Sequence, residues 1–297
     1  MPVQLSDRDR RMLAGDMGEG ARMALSIIVR MAEVQDAAEL MDVSLAHIDG
    51  CGLLTDASVE FAERLAGTGA QVRVPTTLNM GPLDLQQWRE FGVAEDYAAK
   101  AVRQANAYEG MGCVPTWTCA PYQGYLTPRF GQQIAWGESN AACYANSVLG
   151  ARTNRYADYL DICAAVTGRV PRIGLHLAEN RLGQVLLRLE GFDTDAFDDV
   201  FYPAFGHFLG RSAGARVPVI EGLPATASDD QLKALCAAAA SSGGIALFHA
   251  VGVTPEAPTV EAAFHGGEPD ETVTVGPDDL AAARDDLSTA DEGDALD

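Results

Sequence analysis

Lysine is nearly absent from this chain. Lys100 and Lys233 are the only two among 297 residues, against nineteen arginines. Basic charge is scarce altogether, 21 Lys+Arg to 42 Asp+Glu, for a formal charge of −21. So acidic a surface has few groups to neutralise phosphates, which excludes nucleic acid as a partner. Long apolar runs are missing too. The longest, such as residues 235–240, fall far short of the ~20 residues of a membrane span, and no membrane partner is expected. Residues 1–11 carry no apolar signal core. The six cysteines, Cys51, Cys113, Cys119, Cys143, Cys163 and Cys236, are scattered, unlike the dense frameworks of small secreted domains. Together these absences predict a cytoplasmic protein with reduced thiols.

What is present is material for a core. Apolar residues make up 47% of the chain, too many for a disordered one, and the length fits one large domain or two of ordinary size. Acidity without lysine matches the proteins of salt-adapted cells, where salt screens self-repulsion. A GC-rich coding bias towards Arg, Ala and Asp gives the same composition.

Periodicity predicts an α/β fold with a mostly parallel sheet covered by helices. Helices are expected over 19–33, 56–66, 83–91, 93–108, 139–150, 156–167, 195–209 and 228–241. Strands are expected over 42–48, 71–74, 172–177, 184–189, 216–220 and 244–249. No internal repeat is visible. Asp56 reads as an N-cap. Residues 278–287 can form a helix, and 288–297 read as an acidic tail within a stretch, 267–297, holding eleven Asp/Glu and one Arg.

Several stretches break the periodicity with polar groups. Cys119, in Thr118-Cys119-Ala-Pro-Tyr122, is a thiol on irregular backbone, suited to a metal or a nucleophile and equally to burial as a small hydrophobe. Cys113 lies six residues before it, which is no zinc spacing. Ser139 and Asn140 open a helix whose free N–H groups can meet an anion. Ser139, Cys143, Asn146 and Gly150 share one of its faces, and Arg152 and Arg155 follow with forks that suit carboxylate or phosphate. Thr76, Thr77 and Asn79 after Pro75 are either a plain turn or binders of substrate oxygens. His47, before Asp49, is an acid/base candidate or a structural histidine, as are His176 and His249.

Taken in order, these residues resemble the catalytic large subunit of aconitase X. The likeness runs through His47-Ile-Asp-Gly-Cys, Pro75-Thr-Thr-Leu-Asn, Thr118-Cys-Ala-Pro-Tyr122, Glu138-Ser-Asn, Ala145-Asn-Ser-Val-Leu-Gly-Ala-Arg-Thr-Asn154, Gly174-Leu-His176-Leu, Leu247-Phe-His249 and Gly252-Val-Thr-Pro-Glu256. The resemblance implies aconitase-like α/β/α layers, incomplete at the C-terminus. It implies a partial catalytic domain over 1–287, with a soft sub-boundary near 168–172, and a tail at 288–297. It also implies an iron-dependent hydro-lyase acting on mevalonate 5-phosphate or cis-3-hydroxy-L-proline. There iron acts as a Lewis acid on the leaving hydroxyl while a base removes a carbon-bound proton.

By the same resemblance, Cys119 is one ligand of an iron or iron–sulfur cluster, and His47 and Ser139 are catalytic. Thr76, Thr77, Asn79, Glu138, Asn140, Asn146, Arg152, Thr153 and Asn154 bind substrate. The implied partner is a small swivel-domain subunit. Family members carry two further cluster cysteines in a segment beyond the position matching Asp297, so a separate C-terminal half is a second expected partner. Two other readings are a non-catalytic remnant that binds a partner or an acidic metabolite, and a thiol enzyme using Cys119 as nucleophile. No histidine stands near Cys119 in sequence to support the latter.

Overall fold

The computed structural model describes residues 3–287; the tail expected at 288–297 lies outside the described residues. The chain divides into two compact units. Of the described residues, those up to 142 and 151–180 form the first, and 143–150 and those from 181 on the second. The segment 168–172 lies inside the first unit.

The first unit begins with helices α1 (Asp7–Leu13) and α2 (Glu19–Val34). Ala24, Leu25, Ile28 and Ala32 of α2 are buried, as the spacing predicts for Ala24 and Ile28, while Ile27 and Met31 are half-buried. Next come β1 (Leu40–Asp42), β2 (Ala46–Ile48), α3 (Asp56–Gly67), β3 (Thr76–Leu78), α4 (Glu95–Gly110) and β4 (Ala135–Trp136). Helices α5 (Ser139–Ser147) and α6 (Leu160–Thr167) and strand β5 (Arg169–Pro171) follow. Residues 143–147 of α5 group with the second unit.

Strands β3, β2 and β4 form a parallel sheet in that order, and β1 pairs with β5 antiparallel. Helix α6 is buried along its whole length and ends on Gly168, which takes the left-handed conformation (φ 68°) that glycine adopts without strain. Beside it Arg169 joins buried Asp9 at 2.9 Å and the exposed Asp42 at the same distance.

The second unit holds β6 (Val185–Leu189), α7 (Phe201–Ala213), β7 (Pro218–Glu221), α8 (Asp229–Gly243), β8 (His249–Ala250), α9 (Val260–Ala263), β9 (Glu271–Val275) and α10 (Pro277–Asp286). Its sheet, ordered β8-β7-β6-β9, is parallel throughout. Helices α7 and α8 touch backbone to backbone. A Cβ at Gly243 would stand 1.8 Å from Gly210 O, and one at Gly206 2.6 Å from Leu235 O. The α/β architecture with mostly parallel pairing is therefore present in both units.

Several expected boundaries move. The strand expected at 71–74 is instead extended chain held by single bonds, Val72 N to Met111 O and Arg73 N to Ala165 O, and the ladder begins at Thr76. Residues 83–91 are turns, flanked by Gly81, Pro82 and Gly92. The strand expected at 172–177 gives way to β5 and a 3₁₀ turn, Gly174–His176, with Gly174 at φ 63°. Helix 156–167 shortens to α6, and helix 195–209 starts at Phe201 after a 3₁₀ turn, Thr194–Ala196. The strand expected at 244–249 shortens to β8. The N-cap of α3 is Thr55 in a capping box with Ser58, since its hydroxyl can reach the Ser58 N–H and Asp56 lies one residue inside.

Candidate functional site

Strands β2, β3 and β4 run the same way, so their carboxyl ends open on one edge, where parallel sheets gather ligand-binding loops. The register sets His47 between Thr77 and Trp136. Three sequence motifs meet there: His47 to Gly50 after β2, Asn79 after β3, and Glu138, Ser139 and Asn140 after β4.

His47 is fully buried, with Nδ1 2.8 Å from Thr77 Oγ1 and its ring against Trp136. Its Nε2 faces Glu138 Oε2 across 3.7 Å, beyond hydrogen-bond reach, and both atoms are buried without a hydrogen-bond partner. Burial holds the His47 imidazole down to about 3. Burial, aided by the nearby Asp49 carboxylate, pushes Glu138 up to about 8. At neutral pH the pair is thus a neutral imidazole facing a protonated acid. Unbonded polar atoms in a buried site are costly, and these two are complementary to a hydroxyl placed between them. Asn140 Oδ1 is a further buried atom without a partner.

An acidic frame supports this edge. Asp161, fully buried on α6, accepts from the Asp49 N–H at 2.7 Å and the Gly50 N–H at 3.1 Å, and burial pushes it up to about 7. Asn79 Nδ2 donates to Asp49 Oδ1 at 2.8 Å. Burial also raises Asp49 and Asp158. An open surface depression of about 410 Å³ lies alongside, lined in part by Asp49, Ser139, Arg155 and Asp158. Gly137 lines it as well, because a Cβ there would stand 2.8 Å from Tyr156 O and 3.0 Å from Asp49 Cβ. Asp158 and Asp161 were not singled out from sequence. The one available signal is Asp161 itself, an acid inside the apolar run Leu160-Asp-Ile-Cys-Ala-Ala-Val.

Other expected binders are occupied with backbone. Thr76 Oγ1 donates to Val74 O at 2.8 Å. Thr153 Oγ1 accepts from Trp136 N and donates to Asn154 O. Asn154 holds Ile173 O and Leu175 N. Asn146, in the second unit, donates to Ala246 O and accepts from Arg181, itself paired with Glu256. These side chains satisfy buried peptide groups, so the structure does not offer them open to a ligand. Arg152 is half-buried, with Nη1 3.4 Å from His176 O and Nε unbonded. His176 is bonded at both ring nitrogens, to Tyr156 and Gln133, and His249 donates to Arg181 O, so both are structural histidines.

Cys119 is a free, half-buried thiol on the irregular segment between α4 and β4. That segment is tied down by Thr116 Oγ1 to Leu78 O and by Tyr122 stacking on Trp136. The other five thiols are buried. Among them Cys51, Cys113 and Cys163 are pushed far up by burial and are correspondingly inert. No three His, Cys, Asp or Glu side chains among the described residues are grouped to hold a metal. One thiolate does not make a three-cysteine cage, so the described residues alone do not fit an iron–sulfur cluster.

Known proteins carry the same pattern. Residues 2–179 match the aconitase X first domain and residues 183–285 the aconitase X second domain. The cis-3-hydroxy-L-proline dehydratase of Pseudomonas aeruginosa is 47% identical over 285 residues, 96% of this chain and 49% of that protein. The phosphomevalonate dehydratase large subunit of Methanothermobacter thermautotrophicus is 40% identical over 297 residues, 98% of this chain and 71% of that protein. The enzyme of the same hydroxyproline class from Hypocrea jecorina is matched over 50% of its length, so the chain spans about half of these two dehydratases. A crystal structure of Thermococcus kodakaraensis aconitase X in its holo-form superposes with a TM-score of 0.86 at 33% identity, over 96% of this chain and 70% of that one. With both domain models matched in order and the strand-end motifs gathered on one edge, the chain belongs to the aconitase X family.

Proposed function

We propose that this chain supplies the substrate-binding part of an aconitase X hydro-lyase that dehydrates a small hydroxy acid, cis-3-hydroxy-L-proline or mevalonate 5-phosphate. The observation that carries this reading is the buried, unbonded pair His47 Nε2 and Glu138 Oε2 at the carboxyl ends of the parallel strands. In this reading a substrate hydroxyl enters between them. Glu138, held protonated, donates to it, and His47, fixed by Thr77, orients it. Ser139 and Asn140 at the start of α5, together with Arg152, face the anionic end of the substrate. The names of the relatives support the reaction class.

In this reading Cys119 is one thiolate of an iron or iron–sulfur centre whose other ligands come from outside the described residues. Relatives named large subunits support a smaller partner subunit, which in this reading is the swivel domain. Six unpaired thiols suit a reducing, cytoplasmic setting.

The test is anaerobic measurement of iron content and dehydratase rate. The chain alone should hold little iron and turn over neither substrate. Co-expression with a small swivel subunit and a segment bearing two cysteines should restore both. Glu138→Gln in that complex should lower the rate about 100-fold with iron content unchanged. An iron-replete complex that dehydrates neither substrate would overturn the proposal.

A further inference from the structure

The sheet of the second unit runs β8-β7-β6-β9 with every strand parallel. From β6 the chain moves outward through β7 and β8, then returns to lay β9 on the other side of β6. The strand order thus reverses between β6 and β9. At such a reversal the loops beyond the strands' carboxyl ends part, and open parallel sheets leave a crevice for a ligand there. This sheet has that crevice. A half-open cleft of about 410 Å³ lies between residues 191–201, after β6, and residues 277–284, after β9. Its volume falls in the range of small-molecule sites.

The lining is apolar at its base. Half-buried Phe192 and buried Phe201 form a corner, with ring centroids 5.5 Å apart and planes at 89°. Phe197 packs on Phe201 at 4.7 Å, and Pro277 and Leu280 add aliphatic wall. Asp193 and Asp195 line the same cleft. Both are exposed, and neither side chain has a hydrogen bond or ion pair among the described residues. With Asp198, three carboxylates stand against one guanidinium, Arg284.

Helix starts at strand-order reversals commonly hold anions. The two at this cleft are closed to them. Asp198 Oδ1 already accepts the Val200 and Phe201 N–H groups at 3.0 and 2.9 Å, and Pro203 has no N–H to give. At the other start Pro277 lacks a donor, and Asp278 and Asp279 put two carboxylates in the first turn of α10. A phosphate or carboxylate would meet like charge on both sides.

We infer that this cleft binds a small amphipathic amine, its apolar body in the corner of Phe192 and Phe201 and its ammonium by Asp193 and Asp195. The rings supply contact area for the body, and their faces also attract an ammonium. The two unpaired carboxylates fix which end of the ligand faces solvent.

Saturation-transfer NMR titration of the full chain tests this without iron or turnover. The probes are 2-phenylethylamine, 2-phenylethanol, which replaces the ammonium by a hydroxyl, and 3-phenylpropanoate, which replaces it by a carboxylate. Salt at about 0.15 M limits the general pull of a −21 chain on any cation to about 8 Å. The amine should bind about tenfold more tightly than the alcohol, the size of one charge-assisted contact, and the acid most weakly. Replacing both exposed carboxylates, Asp193→Asn with Asp195→Asn, should abolish the preference for the amine and leave the alcohol's affinity unchanged. Phe192→Ala should weaken amine and alcohol alike. A preference for the amine that survives the double substitution would assign it to the overall charge of the chain and overturn the inference. Tighter binding of the acid than of the amine, or no saturable binding of the amine, would overturn it equally.

Discussion

At the scale of single residues, burial sets the chemistry of Glu138 and His47, and the two respond to pH with opposite sign. Glu138 is raised from 4.5 to about 8, so between those values the folded chain holds a proton the unfolded chain has lost, and stability falls as pH rises. His47 is lowered from 6.5 to about 3, so stability is lost as pH falls below 6.5. Asp161 contributes in the same direction as Glu138 but only up to about 7. Above pH 7 Glu138 is the largest carboxylate contributor, while the tail of Asp161 and the buried, raised thiols Cys51, Cys113 and Cys163 add slopes of the same sign. Between pH 7.0 and 8.0 the urea midpoint should decline clearly more for the native sequence than for Glu138→Gln. An equal decline in both would show that Glu138 is already ionised. The motifs carrying His47, Asn79, Glu138 and Ser139 were legible because short polar runs interrupt apolar periodicity. Asp158 and Asp161 were not. One acid in an apolar helix looks like noise until the peptide groups it caps are seen, and those lie over a hundred residues away.

At the scale of elements, helices α7 and α8 depend on the absence of side chains where they cross. Gly210 and Gly243 touch backbone to backbone, so any Cβ at 243 collides with an atom that cannot swing aside. Gly243→Ala should destabilise the second unit by about 3 kcal/mol through overpacking, read as a lower urea midpoint. Gly276→Ala is the control, because its Cβ would meet nothing nearer than Asp279 Oδ2 at 3.9 Å. Helices α2, α3, α4 and α8 were readable from their period. The strands were harder, because most are two to four residues long, too short for alternation to register. Val72 and Val74 alternate correctly yet find no ladder, whereas Thr76, Thr77 and Leu78, flanked by turn-formers, pair with β2. Which extended segment becomes a strand was decided by partners remote in sequence.

At the scale of the whole molecule, charge dominates. Many arginines are already paired, as in Arg22 with Glu19, Arg103 with Glu63, Arg188 with Glu221 and Arg216 with Glu271. A net −21 remains to repel itself. Screening shortens that repulsion to about 3 Å at molar salt, so melting temperature should climb between low and molar KCl. A flat or falling midpoint would instead assign the composition to coding bias. Lysine scarcity has a practical side as well. Lys100 lies in the first unit and Lys233 in the second, with 40% and 36% of their side chains exposed. Apart from the α-amino group, amine-reactive dyes thus have one address on each unit. A donor and an acceptor attached there would report the separation of the two units by energy transfer, with no residue needing replacement.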